Sequence, residues 1–386
     1  MVPSMLCEDS IDLPRRLDNF HAHIGITHLY LRSSEFLDGR GVRTAPDFLD
    51  TGLNWGEGDK TRTSEVIVVQ MWKARHIISG MSTWVPILNA WRQRHASTGG
   101  SDSARYCYSV WFRHLMMLDR WGFKINGAHI GELGPGDSLG IGLAALLSGA
   151  ARYVGLDIVP YSAKADLERM FDELLSMYTK EERVPDDKEF PFVRPRIDSY
   201  EFPRDAVDRR NTSTKAEEIR NQLRGGLNSG SLLGYRVPWM LLPQIDQASL
   251  DLIFSQAVLE HIDSLEETYR AMFAWLKPGG YASHVIDFRS HGRSPFWNGH
   301  WAYSDWQWEL VRGKREFLLN REPLSTHLSL AEKVGFKLLL AKQDQTPHGL
   351  EATSLAPRFR RMNAADAQTS GALLILQKPR SGYAGG

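Results

Sequence analysis

The sequence predicts an α/β protein, and three observations carry that expectation. Short apolar runs recur at residues 128–133, 152–156, 250–255 and 281–288, separated by stretches long enough to hold helices. The first run ends in Gly134-Pro135-Gly136, a turn that opens into a helix, and the second delivers Asp157 at its carboxyl end. Two further apolar runs, 334–340 and 371–377, supply strands near the end of the chain.

Taken in order, the first hundred residues differ from the rest. Residues 64–96 have helical apolar spacing broken by Pro86, 97–103 form a Ser/Gly/Asp linker, and 104–121 are a second helix rich in aromatics and Met. The expected organisation is therefore a mainly helical N-terminal extension, 1–104, that props the sheet edge or has a functional role, followed by a second domain, 105–386.

Within that domain, residues 128–133 form the first strand and carry Glu132 near its end. The Gly134-Pro-Gly136 turn lacks side chains where a ligand would approach the backbone. Asp137 or Ser138 caps a helix over 139–148, which Gly149 stops. Asp157 then sits where a strand-end acid can accept both hydroxyls of a ribose. A dinucleotide fingerprint would require glycine at position 139, where Leu139 stands, and an acid at the helix start would repel a pyrophosphate, so NAD is disfavoured.

Residues 163–178 read as an amphipathic helix, 184–210 as an irregular segment rich in Pro, Asp and Arg, and 211–224 as another helix. The last two belong to an insertion at about 180–236. The third strand falls within 232–241. Trp239 there either stacks on an adenine or fills the core, and Asp246 is a poor candidate for an adenine-binding acid. The run 250–255 is a buried strand that leads into Gln256-Ala257 and Glu260-His261. Trp275-Leu-Lys-Pro-Gly-Gly280 turns into the fifth strand, 281–288, and alternation puts Asp287 nearest its carboxyl end, with His291 four residues later.

Past that strand lies the densest polar-aromatic segment of the chain, with Trp297, His300, Trp301, Tyr303, Trp306 and Trp308. At the mouth of a strand such a segment reads as a substrate lid. Its rings can stack on an acceptor, and Trp297, His300, Trp301 and Tyr303 are the candidate contacts.

Composition narrows the function classes. Lys+Arg and Asp+Glu both number 46, giving zero formal net charge, and no basic block marks a nucleic-acid face. The two cysteines, Cys7 and Cys107, support neither a disulfide framework nor a zinc site. The start of the chain is acidic and unlike a signal peptide. The longest near-apolar run, 141–151, is far below the roughly 18 residues of a membrane span, so a cytoplasmic protein without membrane contact is expected.

The pattern Glu132-Leu-Gly134-Pro-Gly136, with Gly155-Leu-Asp157-Ile158, Gln256 at the fourth strand end and Leu-Lys-Pro-Gly-Gly280, resembles the class I S-adenosylmethionine-dependent methyltransferases over about residues 105–380. Ser138 departs from that pattern, which often has a third glycine there. The resemblance implies a Rossmann-like, seven-stranded, mostly parallel sheet with helices on both faces. It implies S-adenosylmethionine as cofactor, held by Glu132, Gly134, Pro135, Gly136, Ser138, Asp157, Ile158, Gln256 and Ala257. It also implies that the N-terminal helices cover the cofactor or join a homodimer. The polar-aromatic segment resembles bacterial methyltransferases of polysaccharide or natural-product pathways.

Methyl transfer from a sulfonium needs alignment and, for a hydroxyl acceptor, removal of one proton. An imidazole oriented by a carboxylate suits that step. His291 with Asp287 is the first candidate pair and His261 the rival. The expected activity is O-methylation of a small hydroxylated acceptor such as a sugar or natural product. C- or N-methylation and a catalytically silent binding protein are the alternatives, and the intact cofactor motif argues against silence. No metal ion is assigned, since Asp287, His291 and Asp305 could be ligands but show no tight ligand spacing.

Overall fold

The computed structural model describes residues 60–86, 100–208, 212–227, 231–239, 245–315 and 317–380. Seven strands form one sheet: β1 His129–Leu133, β2 Arg152–Leu156, β3 Leu233–Arg236, β4 Leu250–Gln256, β5 Leu276–Asp287, β6 Lys337–Gln345 and β7 Thr369–Gln377. Their order is β3-β2-β1-β4-β5-β7-β6. Strands β1 to β5 run parallel, and β7 is antiparallel to both neighbours. The strand order reverses between β1 and β4, which opens a crevice at their carboxyl ends, the place where such Rossmann-like sheets bind ligands.

The helices among the described residues are α1 Lys60–Met81, α2 Ala104–Asp119, α3 Gly140–Leu147, α4 Leu167–Thr179, α5 Thr212–Gly225, α6 Leu265–Trp275, α7 Asp305–Arg312, α8 Leu324–Val334 and α9 Ala364–Gln368. Alternation along the strands divides the core into two layers. Leu252, Phe254, Leu373 and Ile375 pack with α2, α3 and α4, while Ile253, Ala372, Leu374 and Leu376 pack with α6, α7 and α8. No helix among the described residues is long and apolar enough to cross a membrane.

Local chemistry explains the elements nearest the crevice. Every residue of α3 is buried, so the helix is apolar all round. Its Gly142 lies against β2, where a Cβ would come within 2.3 Å of the Tyr153 ring. The cap expected from Asp137 or Ser138 falls instead on Leu139, which makes no side-chain cap bond, although the Ser138 hydroxyl accepts from the Gly140 N–H at 3.0 Å. Strand β5 begins at Leu276, so it absorbs the Lys-Pro-Gly-Gly run that reads as a turn; the register shift opposite, between Leu250 and Leu252, takes up the irregularity.

Much of the expected insertion is an irregular segment anchored on α2. The fully buried Arg113 guanidinium donates to Asp187 (2.9 Å) and to the carbonyls of Pro185 (3.1 Å), Val193 (3.2 Å) and Pro195 (2.9 Å). Helix α1 covers part of the expected N-terminal extension, and the predicted continuation over 87–96 lies outside the described residues. It crosses α7 at Gly80, where a Cβ would sit 1.9 Å from the Leu310 carbonyl oxygen.

Candidate active site

The carboxyl ends of β1, β2 and β4 bring the first group of predicted residues together. Gly134 and Gly136 have φ of +62° and +74°, which only glycine adopts without strain. The Gly134 N–H is bonded to the Leu156 carbonyl at 2.8 Å, and a Cβ there would lie 2.7 Å from the Val258 side chain. The turn is thus pressed between the ends of β2 and β4, with Pro135 buried beneath it.

Asp157 ends β2. Its carboxylate accepts from the Ile158 N–H at 2.8 Å and lies 3.4 Å from the Tyr235 hydroxyl. Burial pushes its pKa up, against hydrogen bonds from the Ile158, Val159 and Gly136 amides and from Tyr235. Glu132 is fully enclosed under the turn and accepts from the Tyr153 hydroxyl. Burial raises its pKa to about 8 despite that bond, with the Asp157 charge adding to the rise. Gln256 ends β4 and is held by His114, whose ring nitrogens reach Gln256 Oε1 at 3.2 Å and Ser283 Oγ at 2.8 Å. Ala257 follows at φ +55°, with its N–H on the Val285 carbonyl.

These residues fit an S-adenosyl group. The glycine turn brings backbone rather than side chains to the crevice, and Asp157 beside it offers acceptors for ribose hydroxyls. Ser138 does not join the set. Its hydroxyl is buried and turned to the Ser101 carbonyl and the α3 terminus, so it ties the turn to the segment before α2.

A family model described as a methyltransferase domain matches residues 132–341, more than half of the chain. The chain belongs to this methyltransferase family. It is an S-adenosylmethionine-dependent enzyme. Solved structures similar to it include an S-adenosylmethionine-dependent methyltransferase from Mesorhizobium loti, 13% identical over 72% of this chain and 100% of that one with a TM-score of 0.36. Another is phosphoethanolamine N-methyltransferase 2 from Haemonchus contortus in complex with S-adenosyl-L-methionine, 14% identical over 72% of this chain and 57% of that one with a TM-score of 0.37. No curated protein matches the chain.

In this methyltransferase the ends of β4 and β5 gather the second group. Asp287 closes β5 and takes both Arg289 nitrogens, Nε at 2.8 Å and Nη2 at 2.6 Å, while His291 Nε2 lies 3.2 Å from its Oδ2. Burial alone would push the Asp287 carboxyl up, but the His291 and Arg289 hydrogen bonds and charges outweigh it and hold it well below the usual carboxylate range. His291 has φ +46°, a strained position for a residue with a side chain. The His261 ring is 5.2 Å from that of His291, and its Nδ1–H donates to the Phe317 carbonyl at 2.9 Å. Burial, then the His291 charge, lowers its pKa to about 4, so it is a neutral imidazole near pH 7.

The polar-aromatic segment is a correction to the sequence reading. Trp301, Tyr303 and His300 are 1%, 0% and 2% exposed and belong to the core rather than to a lid. Trp301 donates to the Arg321 carbonyl at 2.9 Å, and Tyr303 donates to the Arg293 carbonyl at 3.1 Å. Their polar handles are spent on backbone carbonyls, which is why large aromatics can be buried there. Only Trp297 of the four candidates keeps part of its ring exposed. Trp239 is buried edge-on against Trp275 at 5.7 Å, which fits the core-filling role. Sequence reasoning missed Tyr153, His114, Glu260 and Arg289. Of these only Glu260 carried a local signal, its place beside His261.

Proposed function

We propose that this enzyme methylates a hydroxyl oxygen of a small acceptor such as a sugar or natural product. The observation that carries the reading is the Asp287–His291 pair, 3.2 Å apart beyond the end of β5 and beside the β4 end that faces the cofactor turn. When bound, S-adenosylmethionine supplies a methyl group already activated on a sulfonium, so the protein must chiefly align the acceptor and take its proton. Asp287, kept ionised, accepts the Nε2–H of His291 and thereby leaves the Nδ1 lone pair as the proton acceptor. His261 is the neighbouring neutral imidazole, and Trp297 is the aromatic surface left for an acceptor ring.

The test uses a methyl donor labelled with deuterium and a panel of hydroxylated acceptors, with fragmentation to locate the label. Label on oxygen is expected. His291→Ala should lower turnover by about 10²–10⁴-fold with unchanged donor affinity. Label on carbon or nitrogen, or a variant within a few-fold of the parent, would remove His291 from a base role.

A further inference from the structure

Where the segments after β4 and β5 meet, a carboxylate oxygen of Glu260 and one ring nitrogen each of His261 and His291 lie within 4.8 Å of one another. Glu260 is 3% exposed. Its Oε1 accepts from the Asp287 N–H at 3.3 Å, but its Oε2 is buried with no hydrogen-bond partner. Buried polar atoms are nearly always satisfied, so an orphaned oxygen on a carboxylate that clusters with two imidazoles points to a missing cationic partner. The Arg289 guanidinium, whose charge reaches Glu260, is already committed to both oxygens of Asp287.

The imidazoles are held as ligands would be. His261 gives its Nδ1–H to the Phe317 carbonyl, so its lone pair is on Nε2. His291 is oriented by Asp287 at 3.2 Å. A carbonyl or carboxylate behind each histidine is the usual outer support of a metal site, fixing tautomer and ring direction. Asp305, a ligand candidate on sequence grounds, pairs with Arg321 (2.7 Å) and Arg358 (3.6 Å) and stands outside this cluster.

We propose that Glu260, His261 and His291 bind one divalent first-row transition-metal ion, with Asp287 and the Phe317 carbonyl as orienting groups. Two imidazoles with one carboxylate suit Zn²⁺, Co²⁺, Ni²⁺, Fe²⁺ or Mn²⁺ better than Mg²⁺ or Ca²⁺, which favour all-oxygen sites. The inference meets the proposed function at His291, because an imidazole lone pair given to a cation cannot also take a proton. A hydroxyl acceptor at the ion would rest on that earlier reading; metal binding itself does not.

The test is done on tag-free full-length protein, stripped with chelator and without donor or acceptor. Equilibrium dialysis against Zn²⁺ should return one ion per chain, and Co²⁺ should give visible d–d bands from an imidazole-containing site. His291→Asn, at the rim of the cluster, and the isosteric Glu260→Gln should each weaken Zn²⁺ binding at least tenfold and shift the Co²⁺ bands while circular dichroism stays at the parent spectrum. Failure to retain Zn²⁺, or one ion held equally well by both variants, overturns the assignment. That outcome leaves oxygen methylation standing, whereas label on carbon or nitrogen with Zn²⁺ bound would overturn only the acceptor reading.

Discussion

At the scale of single residues, Asp157 carries the most direct prediction. It stands at the end of β2 with its carboxylate ringed by the Ile158, Val159 and Gly136 amides, and burial raises its pKa, so it gains from any ligand that donates two hydroxyl hydrogens. Asp157→Ala should weaken S-adenosylmethionine binding by roughly 2–4 kcal/mol, the value of two charge-assisted hydrogen bonds, with the fold intact. Calorimetry giving parental affinity would refute a ribose role. The place of this residue after a strand, and of Gly134 and Gly136 in a turn, was legible in the sequence because each follows directly from the apolar run before it. His114 was not, since it reaches Gln256 across 142 positions and the residues around it say only that α2 is apolar. Trp301 and Tyr303 misled for a related reason. A tryptophan that buries its ring and one that offers it to a ligand have the same local sequence, and the carbonyls of Arg321 and Arg293 that decide between them come from elsewhere in the fold.

At the scale of elements, strand and helix periodicity located the sheet, and chain distance hid what fastens the irregular parts. The run after α4 holds Pro, Asp and Arg without a pattern, yet it is fixed to α2 by side chains of that helix, Arg113 with the most bonds beside Arg105, Tyr108 and Ser109. Arg113 is wholly buried and donates to three carbonyls and Asp187, so removing it takes the donor from the Pro195 carbonyl and one bond each from Pro185, Val193 and Asp187. Arg113→Met keeps the apolar stem and loses the fork. It should destabilise the protein by on the order of 2–4 kcal/mol and free the segment locally. Limited trypsin digestion should then cut at Lys188 or Arg196 well before the parent is cut. A variant that resists trypsin like the parent and melts at the same temperature would show that the segment is held by other contacts.

At the scale of the whole molecule, the titratable groups enclosed by the fold set a pH window for stability. Burial is the first cause in each case: it lowers His114 and His261 to about 4 and His284, His300 and His327 to about 3. It also raises Glu132 to about 8. The unfolded chain takes up protons on these imidazoles as pH falls through roughly 6.5, while the folded protein does not until about 4 or 3. Their contribution is therefore complete above about 6.5 and is lost as the solution is acidified. Glu132 acts in the opposite sense, since the folded form keeps its proton while the unfolded chain ionises from about 4.5 upward, so its stabilisation is lost as pH rises from there through 8. Between about 4.5 and 6.5 the imidazoles outweigh Glu132, each unshared proton changing stability by about 1.4 kcal/mol per pH unit. Melting temperature should thus peak near pH 6.5, fall gently towards 8 and fall steeply below 6. His284→Met should flatten the acid limb, because His284 Nε2 is buried without a partner and cannot be charged in place. Calorimetric scans showing a flat or rising melting temperature from pH 7 to 5 would mean that these imidazoles reach water before the protein unfolds.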